Sequence, residues 1–319
     1  MALSLLATAR LMAQNQSPPA PAADASAAAP PPGTPTNDAG AMPPPTLQAP
    51  KPTKNEVSFS GDVMLGSGTV TLPLGYSLQK AVSSSPLGAF SVPRSSTYYG
   101  GTISYSYGQA WYLDLSYAQG QSSGSQSIDV GSLGSLPSTF SIDDTWYQIY
   151  IKYAFPQLRG KRLSAYLRVG ASYVTAQIKD ASTLPLSNNT YLQTDNTTDL
   201  LGNLGFGLGY SLYSTRHLRL GLQLEGEGFY GVRSQQSLES LSKDTGLNFV
   251  SAGIDNSLYG GIGRVTFRAE YRLGQSGLFK IFAEVGGEGR YTMITYPGAS
   301  APDELLWGPY AKLGIRYAF

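Results

Sequence analysis

The feature that most restricts the fold is a two-residue rhythm of apolar side chains that returns about ten times between Glu56 and Phe319. In the last nine residues Ala311, Leu313, Ile315, Tyr317 and Phe319 alternate with Lys312, Gly314, Arg316 and Ala318. A period of two sends successive side chains to opposite faces of a strand. The same rhythm sets Leu218, Leu220, Leu222 and Leu224 against Arg219, Gln223, Glu225 and Glu227. It sets Val265, Phe267, Ala269 and Tyr271 against Arg264, Arg268, Glu270 and Arg272, and Ile281, Ala283 and Val285 against Lys280, Glu284, Glu288 and Arg290. Earlier turns of the pattern begin at Val57, Tyr99, Trp111, Tyr147, Leu163 and Leu200.

The connections between these strands alternate in length. Short turns fall at Gly108–Ala110, Pro156–Lys161, Ser214–His217 and Gly274–Gly277, and long loops are predicted at Leu72–Arg94, Gln119–Ile142, Lys179–Thr198, Ser234–Asn256 and Thr295–Leu306. Membrane barrels have short turns on one side and long loops on the other. Aromatic residues fall near both ends of the strands, as amphipathic rings do at two membrane interfaces. No run of about 18 apolar residues offers a spanning helix, but spanning strands need none. The fold class expected is therefore all-β, a closed antiparallel transmembrane β-barrel of about ten strands. Twelve is the alternative, if Gly66-Ser67-Gly68 is a turn that splits the first strand.

The terminal strand, Leu313, Ile315, Tyr317 and the final Phe319, resembles that of bacterial outer-membrane β-barrels, the small porin-like barrels of Gram-negative bacteria. In that family the segment is the insertion signal read by the assembly machinery. The resemblance covers Glu56 to Phe319 and is architectural. It implies two partners, outer-membrane lipid and the barrel-insertion machinery, and carries no functional residue across.

Three segments are expected: a signal-peptide remnant at 1–13, a disordered Pro/Ala-rich periplasmic linker at 14–54, and the barrel at 55–319. Leu11-Met12-Ala13 resembles a signal-peptidase site whose true signal start lies upstream. Ser17–Thr53 holds twelve of the chain's 21 prolines among Ala, Ser and Thr, too little apolar surface to offset ordering entropy. The chain has no cysteine, which excludes disulfides and thiolate chemistry. A net charge of +1 gives no footprint for nucleic acid. No metal site and no cofactor is read from the sequence.

Closing the sheet places one face in the lumen, so Arg168, Arg219, Glu225, Glu227, Arg264, Arg268, Glu284, Glu288, Lys312 and Arg316 are the candidate lumen or constriction residues. Strand arithmetic sets Arg268 opposite Glu284, Arg264 opposite Glu288 and Arg168 opposite Gln148. Inward glycines leave space, which favours a narrow pore for small solutes. The alternative is a non-conducting structural or adhesin-like barrel that meets surface ligands through its long loops. A hydrolase is the least favoured class. Omptin-type surface proteases resemble this chain in strand number, and their site resembles an Asp pair together with a His and Asp pair at the extracellular rim. Here Asp143-Asp144 lies at the long-loop end of its strand, while the only histidine, His217, lies in a short turn. The two ends stand about 30 Å of hydrocarbon apart.

Overall fold

The computed structural model describes residues 55–73, 89–108, 110–129, 135–158, 162–183, 190–241, 247–274, 278–296, 299–300 and 304–319. The expected signal remnant and linker lie outside these residues. The strands are β1 (Glu56–Pro73), β2 (Ala89–Tyr107), β3 (Trp111–Asp129), β4 (Ser135–Ala154), β5 (Leu163–Thr183) and β6 (Thr190–Ser214). They continue as β7 (Leu218–Leu241), β8 (Leu247–Leu273), β9 (Phe279–Tyr296), the two-residue β10 (Ala299–Ser300) and β11 (Glu304–Ala318). Each long strand pairs antiparallel with its neighbour, β9 pairs with β11, and β1 pairs with β11 from Glu56↔Ala318 to Thr69↔Leu305. Ten long strands thus close on themselves with no free edge, as hydrocarbon demands of every backbone polar group.

β1 runs unbroken through Gly66-Ser67-Gly68, which removes the twelve-strand alternative. The short-turn end is tightly made. Gly108 and Gly274 take positive φ values of 65° and 71°, a region that costs glycine nothing. Between β6 and β7, Thr215 donates its amide to the Leu218 carbonyl at 2.8 Å and accepts the Leu218 amide on its hydroxyl at 3.0 Å. The two chain ends of the barrel meet here as well, where the Phe319 amide donates to the Asn55 carbonyl at 2.9 Å.

The outer surface of the lower barrel is apolar. Leu222, Val265 and Ile315 expose 47%, 58% and 52% of their side-chain-bearing surface, with Leu204, Val169 and Leu313 alike. Tyr107, Trp111, Tyr153, Tyr271, Phe279 and Tyr317 ring the short-turn edge of this belt; Tyr99, Tyr117, Tyr147, Tyr173, Tyr230, Tyr259, Tyr291 and Trp307 ring the other. Trp111 packs on Tyr153 with centroids 4.9 Å apart, and Phe279 on Tyr317 at 4.6 Å. The apolar face belongs to lipid.

Beyond the second ring the structure departs from the expected loops. β3 runs on to Asp129 and β4 begins at Ser135, while β7 and β8 extend to Leu241 and from Leu247, so much of the predicted loop sequence is strand. The reason is that the two faces exchange character. Gln121, Asp143, Lys179, Asn196, Ser234 and Gln236 now point outward, and Val70, Leu72, Val92, Phe140, Ile142 and Ile178 form a buried cluster inside. Above the rings the outward face meets water, and on β1 to β5 the ordinary arrangement of a soluble sheet, apolar in and polar out, returns. On β6 and β7 the inner face stays polar there, with Gln193, Asp195, Gln235 and Glu239 buried.

Candidate functional site: the barrel lumen

All ten charged residues singled out from the sequence face inward, because each shares strand parity with the buried set and opposes inward neighbours. Arg268 lies opposite Glu284 and Arg264 opposite Glu288, and the guanidinium-to-carboxylate distances are 2.7 and 2.5 Å. Cross-strand pairs of opposite charge fix register in this way. Glu288, whose side chain is 0% exposed, also accepts from Arg290 at 2.6 Å. Glu225 accepts from Arg264 at 3.2 Å, from Tyr166 at 2.5 Å and from Gln223 at 2.6 Å.

One register expectation fails. Arg168 opposes Lys152, and Gln148 opposes Ser172. The β4–β5 connection contains a 3-10 turn at Pro156–Leu158, which shifts the centre of the hairpin and slides the pairing by an even number of residues. Both side chains still face the lumen, but two cations now stand side by side. Each finds its own carboxylate: Lys152 meets Asp114 at 2.9 Å and Arg168 meets Glu227 at 2.6 Å. Glu227 also accepts the Tyr150 hydroxyl at 2.9 Å, and that oxygen receives Gln148 and Asn203 amides at 3.0 and 3.1 Å.

The inward glycines do not enclose empty space. Several are directly paired across the sheet with a large inward side chain that lies over them: Gly205 under Arg168, Gly207 under Tyr166, Gly170 under Tyr150, Gly120 under Tyr98, Gly260 under Phe229 and Gly314 under Phe282. A Cβ at these positions would strike the covering side chain. The expectation that glycine makes room for solute is corrected accordingly; glycine makes room for the neighbour. Gly170→Val is expected to dislodge Tyr150 from its three polar partners and collide with the Ile149 carbonyl. Overpacking of this kind costs about 1–3 kcal/mol, measurable as an earlier urea midpoint for the barrel in detergent.

Cations stack on rings throughout the lumen, with Arg290 4.4 Å from the Tyr98 centroid, Arg264 4.5 Å from Tyr310 and Arg268 4.5 Å from Phe282. Toward the long-loop end the filling also includes apolar clusters. Val174, Leu201, Phe229, Leu258 and Ile294 form one buried cluster, and Met64, Tyr98, Leu306 and Tyr310 another. Sequence reading missed these closures, although the signal was there: the face of β1 that carries Ser58, Ser60 and Asp62 goes on to Met64, Val70 and Leu72.

Above the rings, Asp199 takes a two-point contact from Arg233 at 2.8 and 2.9 Å. Burial holds the Asp195 and Asp180 carboxyls above the usual carboxylate range, against hydrogen bonds from Ser237, Gln193 and Gln235 to the first and from Ser138 to the second. Among the described residues no group of three or more His, Cys, Asp or Glu is arranged to hold a metal ion. Asp144 is buried and accepts the Tyr98 hydroxyl at 2.9 Å, while Asp143 points outward. His217 sits in the β6–β7 turn against Tyr271. Ten residues separate Asp144 from the short-turn end of β4, about 33 Å of strand, so these residues do not assemble a His–Asp site.

No protein-family model matches the sequence, and a search of curated proteins finds no match. Among solved structures, the barrel resembles the outer membrane protease OmpT from Escherichia coli with a TM-score of 0.50 and 10% identity, covering 86% of this chain and 99% of that one. The translocator domain of the autotransporter NalP from Neisseria meningitidis matches with a TM-score of 0.40 and 13% identity, over 84% of this chain and 89% of that one. At such identity the likeness to OmpT is one of fold: this chain has the fold of the outer-membrane β-barrels.

Proposed function

We propose that this chain is a bacterial outer-membrane barrel whose lumen does not conduct, and that it acts as a structural or surface-interaction protein through the strand hairpins that rise above the outer aromatic ring. The observation that carries this reading is the filling of the lumen: arginine, tyrosine and phenylalanine side chains lie over several of the inward glycines, and two apolar clusters lie farther along. A pore needs a continuous water path past Arg168, Arg264 and Glu225, and each of these is tied to an opposite charge. The protruding hairpins supply polar outward residues on paired backbone, a rigid platform for surface ligands. In this reading the short turns and the linker face the periplasm, and Leu313, Ile315, Tyr317 and Phe319 address the chain to the insertion machinery.

Purified protein reconstituted in planar bilayers tests the proposal. Its expected behaviour is the absence of steady ion current across a range of voltages, with insertion verified by protease protection. A reproducible single-channel step would overturn it in favour of the pore.

A further inference from the structure

The ion pairs of the lumen do not balance at the short-turn mouth. A cavity of about 470 Å³ opens there, with the 3-10 turn at Pro156–Leu158 in its wall. Six cations line it, Lys152, Arg219, Arg268, Arg272, Lys280 and Arg316, against two carboxylates, Glu56 and Glu270. Both carboxylates are oversubscribed. Glu56 accepts Lys280 at 3.2 Å and Arg316 at 3.6 Å, and Glu270 lies within 3.4 to 3.9 Å of Arg268, Arg316 and Lys280. Even when Asp114 and Glu284, the neighbours of Lys152 and Arg268, are counted, two positive charges are left over. They can be named. Arg219 and Arg272 have no carboxylate within ion-pair distance among the described residues: Arg219 stands across the ladder from Glu270 without closing on it and donates to the Ser211 hydroxyl at 3.4 Å.

The surrounding cations are held in place rather than left to sample solvent. Phe282 carries Arg268 at 4.5 Å and Arg316 at 5.7 Å, and Lys152 stands between the Tyr112 and Tyr166 rings at 5.0 and 5.2 Å. A concave wall with an excess of one sign and low-dielectric backing concentrates counter-ions. Its volume is that of a small-molecule site, and guanidinium forks suit phosphate or carboxylate oxygens.

We infer that the short-turn mouth is a binding site for a small soluble polyanion, one carrying two or more phosphate or carboxylate groups, with Arg219 and Arg272 as its primary contacts. Lipid headgroups are not the ligand, because both arginines share strand parity with the lumen-facing Glu270 and Arg268 and point away from the lipid belt. The site stands independently of whether the lumen conducts.

Calorimetric titration of the full chain in zwitterionic detergent, with inorganic pyrophosphate and with citrate as probes, decides the matter. Saturable binding of at least one probe is expected, weakening as sodium chloride is raised. The double variant Arg219→Gln/Arg272→Gln is expected to lose at least about tenfold in affinity. Lys179→Gln, which removes an equal kind of charge from the outer surface, is expected to bind as the parent does. Since neither arginine is in an ion pair, the double variant should keep the parent's urea midpoint; Arg272→Gln alone provides the same comparison if it does not. Absence of saturable binding of both probes to the parent, or unchanged affinity in the arginine variants, overturns the assignment.

Discussion

Glu288→Ala is expected to destabilise the folded barrel by about 3–5 kcal/mol, the range for breaking a buried pair by removing one partner. Glu288 is the acceptor between two guanidiniums, Arg264 at 2.5 Å and Arg290 at 2.6 Å, and its carboxylate has no access to water. Alanine in its place leaves two half-buried cations facing each other. Arg264 retains Glu225 at 3.2 Å, whereas Glu288 is the one carboxylate within ion-pair distance of Arg290 among the described residues, so Arg290 bears the larger penalty. Urea unfolding in lipid vesicles, followed by tryptophan fluorescence, measures the loss. Adding Arg290→Met to Glu288→Ala removes the stranded charge and is expected to recover a substantial part of it, an outcome that simple loss of packing volume would not produce.

A second large effect is expected on the outside of the same strands. Val265 lies midway between Tyr259 and Tyr271 on the lipid face of β8, 58% exposed. Arginine at the bilayer midplane of a barrel costs about 2–4 kcal/mol, so Val265→Arg should lower stability by that amount in the same assay. Gln177→Arg, outward on β5 but beyond Tyr173, should cost close to nothing because that face meets water. The contrast between the two positions maps where hydrocarbon ends. Equal costs would mean that the aromatic rings do not mark the interfaces.

Much of this architecture is legible in the sequence because side-chain alternation and turn length are local properties. The strand pair β8–β9 could be aligned to the residue, since the turn near Gly274 is short and its hairpin symmetric. The β4–β5 register could not, because a 3-10 turn absorbs residues in a way that composition does not reveal. Two readings failed for a shared reason. An inward glycine reads as space, and a lapse of outward hydrophobicity reads as the end of a strand. Both inferences treat a residue alone, whereas Gly207 has its meaning from Tyr166 across the ladder, and Asp143 from the water that replaces lipid at its height. The polyanion mouth was hidden likewise: Arg219 and Arg272 look like any other lumen cations until the carboxylates near them are found to be engaged elsewhere.

The central claim is that the lower barrel turns its apolar residues to acyl chains and its ion pairs inward, and the absence of cysteine makes this directly measurable. Spin labels attached to Leu222→Cys, Val265→Cys and Ile315→Cys in vesicles should relax strongly with dissolved oxygen and weakly with a water-soluble nickel chelate, while a label at the buried, inward Thr266→Cys should respond little to either. Labels at the three outer positions that answer to nickel, or to neither reagent, would place those residues in water or in a dry core and contradict the account.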